Sequence, residues 1–597
     1  METIKVDFKA KKRKKDSRLS QCSTPVKIII SIVLTLIISA VLYYLMLPAL
    51  NPKAIELYIW LALSLVVFIG IFGMVSRAYS VEENMEYAKS KAKVPIILIL
   101  IIIAFVIIGY LTGAVIFRAK SYRNIIQVEN GNFAEEVAEI DFSSVPRLDK
   151  DSSDMLATRA LGDLSDYVSQ FVVSDYYSTQ INYKGTPVRV QSLAYGDIFK
   201  WLRNTANGIP AYIIVDMTTQ KADVVRLEET IKYSPAEHFN EFLLRHCRFK
   251  YPTLMFDTPS FEIDDTGRPY WIVPVIDKTI GLFGGTDIIG AIICDAATGE
   301  MTLISTNLEG KTKLDTDLFV TDENYQWLDC IYSAQLLNEQ FNYFGKYVNG
   351  FWNSIIGQSE VKITSSGYNY LALNDDVYMY TGVTSISSDE SIIGFVLINQ
   401  RTKDARYYQV SGALEDTART SAQGKVQQYS YTATFPLLLN VSSEPTYFMA
   451  LKDDSALVKM YAMVNVKQST VVGVGSSLAE CMENYASELE KNGINVNIDI
   501  EDISEDEDVA TESKEVEIET ISGKVEDIRS ATINGETYFY IKVEGDESAR
   551  YYKISAAKDE EVIRLNVGDE VVIKVELVNK DFVEIDEFEY RSAHENR

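Results

Sequence analysis

The sequence predicts a membrane-anchored α+β protein, with three transmembrane helices near the N-terminus, repeated helix and β-hairpin modules behind them, and a small β-barrel at the C-terminal end. Three observations predict it. Three apolar runs, each close to the length that crosses a bilayer, lie within the first 118 residues. Strand–turn–strand segments with one shared turn pattern recur downstream. The last stretch, 520–597, alternates in the manner of short strands.

The chain has 597 residues, and at roughly 150 residues per domain that length suggests about four units. Hydrophobic residues make up 47% and charged residues 24%, which is ordinary for folded protein. The formal net charge is −27. The acidic excess lies downstream of the basic N-terminus, and such a soluble part does not neutralise phosphates, which argues against nucleic acid as its partner.

The apolar runs are Val26 to Leu47, Leu57 to Val75 and Pro95 to Phe117, and Lys27 is the one charged residue in them. The first run exceeds a signal-peptide core and lacks a small-residue cleavage site, so it reads as a retained anchor. Segment 26–118 is therefore the membrane domain, and membrane lipid is an expected partner. Basic residues set the orientation. The tail 1–25 with its flank to Lys27 carries nine Lys or Arg, and Arg77, Lys89, Lys91 and Lys93 follow the second run. Lys53 stands alone between the first two runs. This places the N-terminus in the cytoplasm and the large C-terminal region outside. Arg118, Lys120 and Arg123 oppose that count, but thirteen against four favours it. The basic tail reads as a topology signal before a segment that binds anionic lipid or a nucleic acid.

Two α+β regions follow, 119–310 and 311–490. Apolar spacing predicts helices near Ser153 to Val173, Pro235 to His246, Tyr325 to Phe344 and Ser477 to Lys491. Three segments share one turn: Ala211 to Val225, Ile289 to Leu303 and Ile393 to Tyr407. Each has Asp216, Asp295 or Asn399 at the strand end and Thr219, Thr298 or Thr402 three residues on. Such an Asp or Asn caps a turn by accepting backbone N–H bonds, and Gly299 is suited to positive φ. The recurrence points to duplicated modules.

The second copy resembles a PepSY-type unit. The strand Tyr270 to Val275 alternates aromatic and aliphatic residues, and Ile292 to Glu300 carries an Asp-Ala-Ala-Thr-Gly-Glu turn. The likeness covers about 40 residues there and about 20 in each other copy. It departs at the long loop Gly281 to Asp287, and Pro252 and Pro259 interrupt the helix expected before the strands. The resemblance implies an extracytoplasmic module that binds or inhibits rather than catalyses.

From Asp499 to Glu519 there are eleven acids and one Lys, so 491–519 reads as a solvated linker. Strands are expected at Ile521–Arg529, Thr537–Val543, Arg550–Ile554, Glu570–Leu577 and Phe582–Phe588. Asn534-Gly535 marks a hairpin, and a short helix falls at Lys558–Arg564. Five strands with that helix placement resemble an OB-fold. Its strands are acidic with few stacking aromatics, which implies a spacer or protein contact.

Catalytic and metal patterns are poor. Three His residues, His238, His246 and His594, are scattered, and no HExxH, GxSxG or CxxC occurs. Cys247, Cys294, Cys330 and Cys481 lie far apart and read as free thiols. Gly310-Lys311-Thr312 lacks the upstream Gly of a phosphate loop, since Ser305 stands there. Ser359 to Lys362 fits a Ser-x-x-Lys pattern without its partner motifs. The loop from Gly281 reads as a hairpin tip. No catalytic residue, metal or cofactor is expected. The expected role is non-catalytic binding of an envelope protein, a peptide or a wall polymer. A rival is an envelope hydrolase built on carboxylates, with Asp264 and Asp265 beside Tyr270 and Trp271 as the binding candidates. A transporter subunit is a third class, disfavoured because the runs carry no mid-membrane charge.

Overall fold

Long apolar runs with no polar face leave the chain no soluble core to bury in, and they form helices Thr24–Met46, Ile55–Val75 and Glu82–Thr112. All three are long and apolar enough to span a membrane. Pro95 was expected to open the third helix but lies inside it, because the polar stretch from Glu82 continues the same helix. The computed structural model describes residues 24–76, 82–137, 145–162, 164–306, 314–373, 376–386, 388–494, 518–533, 536–545, 550–555, 560–576, 582–585 and 587–591. The basic tail, most of the acidic linker, the Gly310–Thr312 motif and the Asn534–Gly535 turn lie outside the described residues.

The chain divides into two compact units, 1–506 and 507–597. In the first, four antiparallel sheets each follow a helix. Module 1 has helix Lys150–Gly162 and the meander Phe171–Tyr183, Thr186–Tyr195, Ile209–Asp216 and Ala222–Ile231. Module 2 has helix Leu243–Lys250 and strands Pro269–Ile280, Gly284–Asp295 and Met301–Ser305, with two short strands at one edge. Module 3 has helix Ala334–Lys346 and strands Asp376–Ser385, Ser388–Asn399 and Ala405–Tyr408 at its centre. Module 4 has helix Glu415–Lys425, strands Leu437–Val441, Glu444–Lys452, Val458–Asn465 and Val472–Gly475, and a closing helix Leu478–Lys491.

Three helices are shorter than their periodicity suggested. The helix at Ser153 ends at Gly162, and Phe171 opens a strand instead. The helix near Pro235 starts at Leu243. The helix near Tyr325 starts at Ala334, where the Ser333 hydroxyl accepts from the Leu336 N–H. The helix after Ser477 forms as expected, with the Ser477 side chain accepting from the Glu480 N–H and Gly493 at φ +80° beyond its end.

The recurring turn is the same structure each time. Asp216 Oδ1 accepts from the N–H of Thr218 and Thr219, Asp295 Oδ1 from Ala297 and Thr298, and Asn399 Oδ1 from Arg401 and Thr402. The fifth residue of each turn has positive φ: Gln220, Gly299 and Lys403. A fourth copy escaped the sequence pattern. Asn465 Oδ1 accepts from Lys467 and Gln468, in a longer loop that lacks the Thr. A second signature joins all four. The N–H after each capping residue (Met217, Ala296, Gln400, Val466) donates to the carbonyl opening the preceding strand (Pro187, Pro269, Val377, Pro445). Proline occupies three of these positions, Pro269 as the first residue of its strand and Pro187 and Pro445 as the second, at strand starts where a ladder donor can be spared.

The modules share cores in sequence. One apolar cluster joins modules 1 and 2, a second joins 2 and 3, and a third joins 3 and 4. Modules 4 and 1 also meet. Lys452 Nζ lies 2.5 Å from Asp149, and Gln220 donates to Tyr461 at 2.6 Å. The boundary expected at 310 is crossed early, because Val128–Gly131, just past the third helix, pairs in parallel with Ala405–Tyr408 of module 3.

Module 2 seats this assembly on the helices. Leu50 donates to the Pro252 carbonyl, Lys53 pairs with Asp277 at 2.7 Å, and the Arg248 guanidinium donates to the Leu47 carbonyl. The Gly281 hairpin tip packs on the end of the third helix. Phe283 lies against Tyr58 and Tyr110, and Gly281 abuts Gly113 so closely that a Cβ would sit 2.5 Å from the Gly113 nitrogen. Its length is therefore explained by anchoring. Nearby, Phe199 and Leu202 of helix Ile198–Asn204 are exposed, and so are Phe239 and Phe249, the last against Tyr43 at the end of the first helix. Phe117, Trp352 and Ile356 form a second exposed apolar group beside the exit of the third helix, where segment 350–352 packs on helix Val115–Arg123.

In the second unit, Ile518–Ile533 is one long strand. Its first half pairs with Glu570–Glu576 and its second half with Glu536–Val543. Tyr551–Ser555 follows, and a 3₁₀ turn at Glu560–Arg564 replaces the expected short helix. The last expected strand is broken into Phe582–Glu584 and Glu587–Arg591, at opposite edges of the sheet. Among the described residues each edge strand pairs only inward, so a closed barrel is not shown.

Candidate functional site

Strand Thr186–Tyr195 is buried along most of its length on both faces. Alternation sends Val188 and Val190 into the apolar core shared with module 2. Arg189 and Gln191 therefore take the other face, where Gln180 and Ser178 of the neighbouring strand join them through register Gln180↔Arg189. Modules 2 and 3 close over this polar layer. The result is a cavity of about 370 Å³ at the junction of the three modules. Its wall includes Arg189, Gln180, Tyr177, Tyr370, Ser260 and Gln400.

Arg189 is 4% exposed, and no carboxylate lies within ion-pair reach of it among the described residues. Its three contacts are long: Nη1 to the Ser178 carbonyl and hydroxyl, and Nη2 to Gln180 Oε1, each 3.4 Å. That is the outer limit of a hydrogen bond. Nε meets no acceptor. Burial pushes the guanidinium pKa down, against the fields of Tyr370, Asp154 and Asp149. Asp154 pairs with Lys150 at 2.5 Å and accepts from Gln191 Nε2 and the Ser178 hydroxyl of the same polar layer, so it reaches Arg189 only through Ser178, and Asp149 is held by Lys452. Gln180 Nε2 and Gln400 Oε1 are also buried without partners. Gln400 is the residue after the capping Asn399, so the third repeat's turn forms part of the wall.

Behind the wall lies Glu262, fully buried. Burial pushes its pKa up to about 7, although the N–H groups of Asp329 and Cys330 and the Ser260 hydroxyl donate to it. The Cys330 thiol lines the cavity, and burial raises its pKa, so it is not a thiolate nucleophile. Cys247, Cys294 and Cys481 are buried free thiols.

Of the four residues singled out as binding candidates, the structure brings Asp264 and Tyr270 together, where burial and then the Asp264 carboxylate raise the Tyr270 pKa, and it sets Asp265 and Trp271 apart from them. Asp264 caps its own turn, accepting from the N–H groups of Thr266 and Arg268. Asp265 is exposed at the turn tip. Tyr270 and Trp271 point to opposite faces of their strand. Tyr270 stacks near Trp327 with ring centroids 5.0 Å apart, and Trp271 is buried against Phe261 and Tyr177. Trp271 thus supports a cavity wall through Tyr177 without reaching the cavity. His246 Nε2 is 2.8 Å from the Gly299 carbonyl, and His238 packs edge-on to Trp201. Among the described residues no group of three or more His, Cys, Asp or Glu could hold a metal.

Sequence reasoning missed Arg189. Its one signal was the alternation Val188, Arg189, Val190, Gln191, which reads equally as a strand with one wet face.

No protein-family model matches the chain, and no curated protein matches it. Among solved structures, a levansucrase variant from Bacillus subtilis superposes at 10% identity over 79% of this chain and 94% of that one, with a TM-score of 0.14. A superposition that loose establishes neither a shared fold nor a shared function.

Proposed function

We propose that this chain is a non-catalytic, membrane-anchored binding protein whose four modules lie outside the cytoplasm, with a ligand site where three of them meet. One observation carries the reading: a polar, aromatic-walled cavity where three modules meet, in the size range of small-molecule sites. The orientation rests on charge. The modules pack on the ends of the helices at Met46, Ile55 and Thr112, Lys89 to Lys93 sit toward the opposite end of the third helix, and the basic tail precedes Thr24 in sequence.

The repeated modules are read as PepSY-like. A helix, an antiparallel sheet and a final capped hairpin in each copy support this, and so does Leu243–Lys250 placed just before the strands of module 2. Pro252 and Pro259 then fall between helix and strands rather than within the helix. The tail unit is read as OB-like because its long first strand serves two partners, and its role is a spacer or protein contact. An envelope protein, peptide or wall polymer would engage the modules.

Thr258, exposed on the cavity wall, supplies the test. In a Thr258→Cys variant with Cys22 and Cys330 replaced by Ser, the introduced thiol is exposed, while Cys247, Cys294 and Cys481 are buried. An envelope extract containing the ligand slows its modification by a small thiol reagent. Unchanged modification by every extract fraction contradicts a ligand site in this cavity.

A further inference from the structure

We infer that the cavity at the junction of modules 1, 2 and 3 binds a small carboxylate, with Arg189 as its counter-ion. This rests on the binding-protein reading and names the ligand class.

Arginine is always protonated, so a buried guanidinium cannot shed its charge and needs a partner. Among the described residues no carboxylate pairs with it directly. The nearest carboxylates are paired to lysines, the three Arg189 contacts are at 3.4 Å, and Nε meets no acceptor. The planar fork of a guanidinium matches a carboxylate through two parallel N–H bonds. Gln180 Nε2 supplies a further unpartnered donor and Gln400 Oε1 an unpartnered acceptor on the same wall.

The charge balance selects a monoanion. Asp257 also lines the cavity, so a phosphate dianion would meet one cation and one repelling carboxylate. A carboxylate neutralises Arg189 alone, and a ligand that also carries an ammonium group gains from Asp257. The rings of Tyr368 and Tyr370, 5.9 Å apart, offer an apolar surface for the rest of the molecule.

The test uses the full-length protein in detergent and follows Tm in sodium acetate against sodium chloride at matched ionic strength. Acetate gives a saturable rise in Tm over chloride, as mass action requires of a ligand that binds the folded state. Arg189→Met removes a charge-assisted bidentate contact, so apparent acetate affinity falls roughly 10- to 100-fold. In chloride the same variant keeps or raises its Tm, because an uncompensated buried charge has been removed. A lower Tm for Arg189→Met with an unchanged acetate response would show a structural arginine and overturn the inference. Where Arg189→Met does not fold, Arg189→Lys decides. It keeps the charge but loses the fork, so a weaker acetate response supports the assignment and an equal one refutes it. A response to phosphate and none to acetate also refutes it. Protection of the Thr258→Cys thiol by envelope extract without any acetate effect overturns the carboxylate assignment alone, whereas no protection together with no acetate effect removes the binding reading as well.

Discussion

Lys403, at the positive-φ position of the third capped turn, places Nζ 2.7 Å from Asp287 Oδ1 on the Gly284–Asp295 strand of module 2. The same ammonium donates to the Ile125 carbonyl, just past the third helix. The equivalent residue of the first turn, Gln220, reaches across to Tyr461 of module 4. A position forced open by turn geometry is thus used twice to join one module to another, the second time the first module to the last.

Lys403→Met leaves Asp287 without its cation in a mostly buried place. The expected loss is about 1–3 kcal/mol, between exposed and fully buried pairs. Chemical denaturation of single and double variants measures it. The double variant with Asp287→Asn loses less than the sum of the singles, and strict additivity would show that the pair is not coupled.

The capped turns make a graded prediction. Asp216→Ala, Asn399→Ala or Asn465→Ala each removes two backbone hydrogen bonds and costs about 1–3 kcal/mol. Gly299→Ala adds strain at φ +74°, where a Cβ would lie 2.4 Å from the Tyr233 ring, so it is at least as severe as Asp295→Ala. Thermal unfolding of this set ranks them.

Glu262 sets a pH dependence. Its folded pKa of about 7 exceeds the ordinary carboxyl value, so between roughly pH 4.5 and 7 the folded state binds more protons than the unfolded one. Stability from this group is therefore greatest at the acid end of that window and is lost as pH rises through 7. Relative to Glu262→Gln, the wild type gains stability as pH falls from about 8 to 5. A difference that stays flat or reverses contradicts this.

The exposed Trp352, 63% accessible and beside helix Val115–Arg123, is expected to sit at the lipid interface, where Trp is favoured. Brominated lipid should quench a fluorescence component that disappears in Trp352→Phe. Equal quenching of both proteins would place this patch away from the bilayer.

The helices were legible because about twenty apolar residues without charge have no other stable setting. Their starts were less so, since Glu82 to Val94 is polar yet continues the third helix. Three of the turns were legible because Asp216, Asp295 and Asn399 carry a local mechanism. The fourth was hidden by its longer loop and by Gln468 in place of Thr. The cavity was not legible, because strand Thr186–Tyr195, the Ser260 and Cys330 segments and Gln400 converge only in three dimensions. Alternation shows that Arg189 and Val190 part ways but not that the polar face is roofed over. Asp264 and Asp265 attracted notice as paired acids, and the structure uses the first as a turn cap.

Sidedness tests the central claim most directly. Asp265 is exposed at a turn tip of module 2, so Asp265→Cys, with Cys22 and Cys330 replaced by Ser, presents one accessible thiol on the modules. Labelling of intact cells by a membrane-impermeant thiol reagent is the result this account predicts. Labelling only after lysis would put the modules and their cavity in the cytoplasm and contradict it.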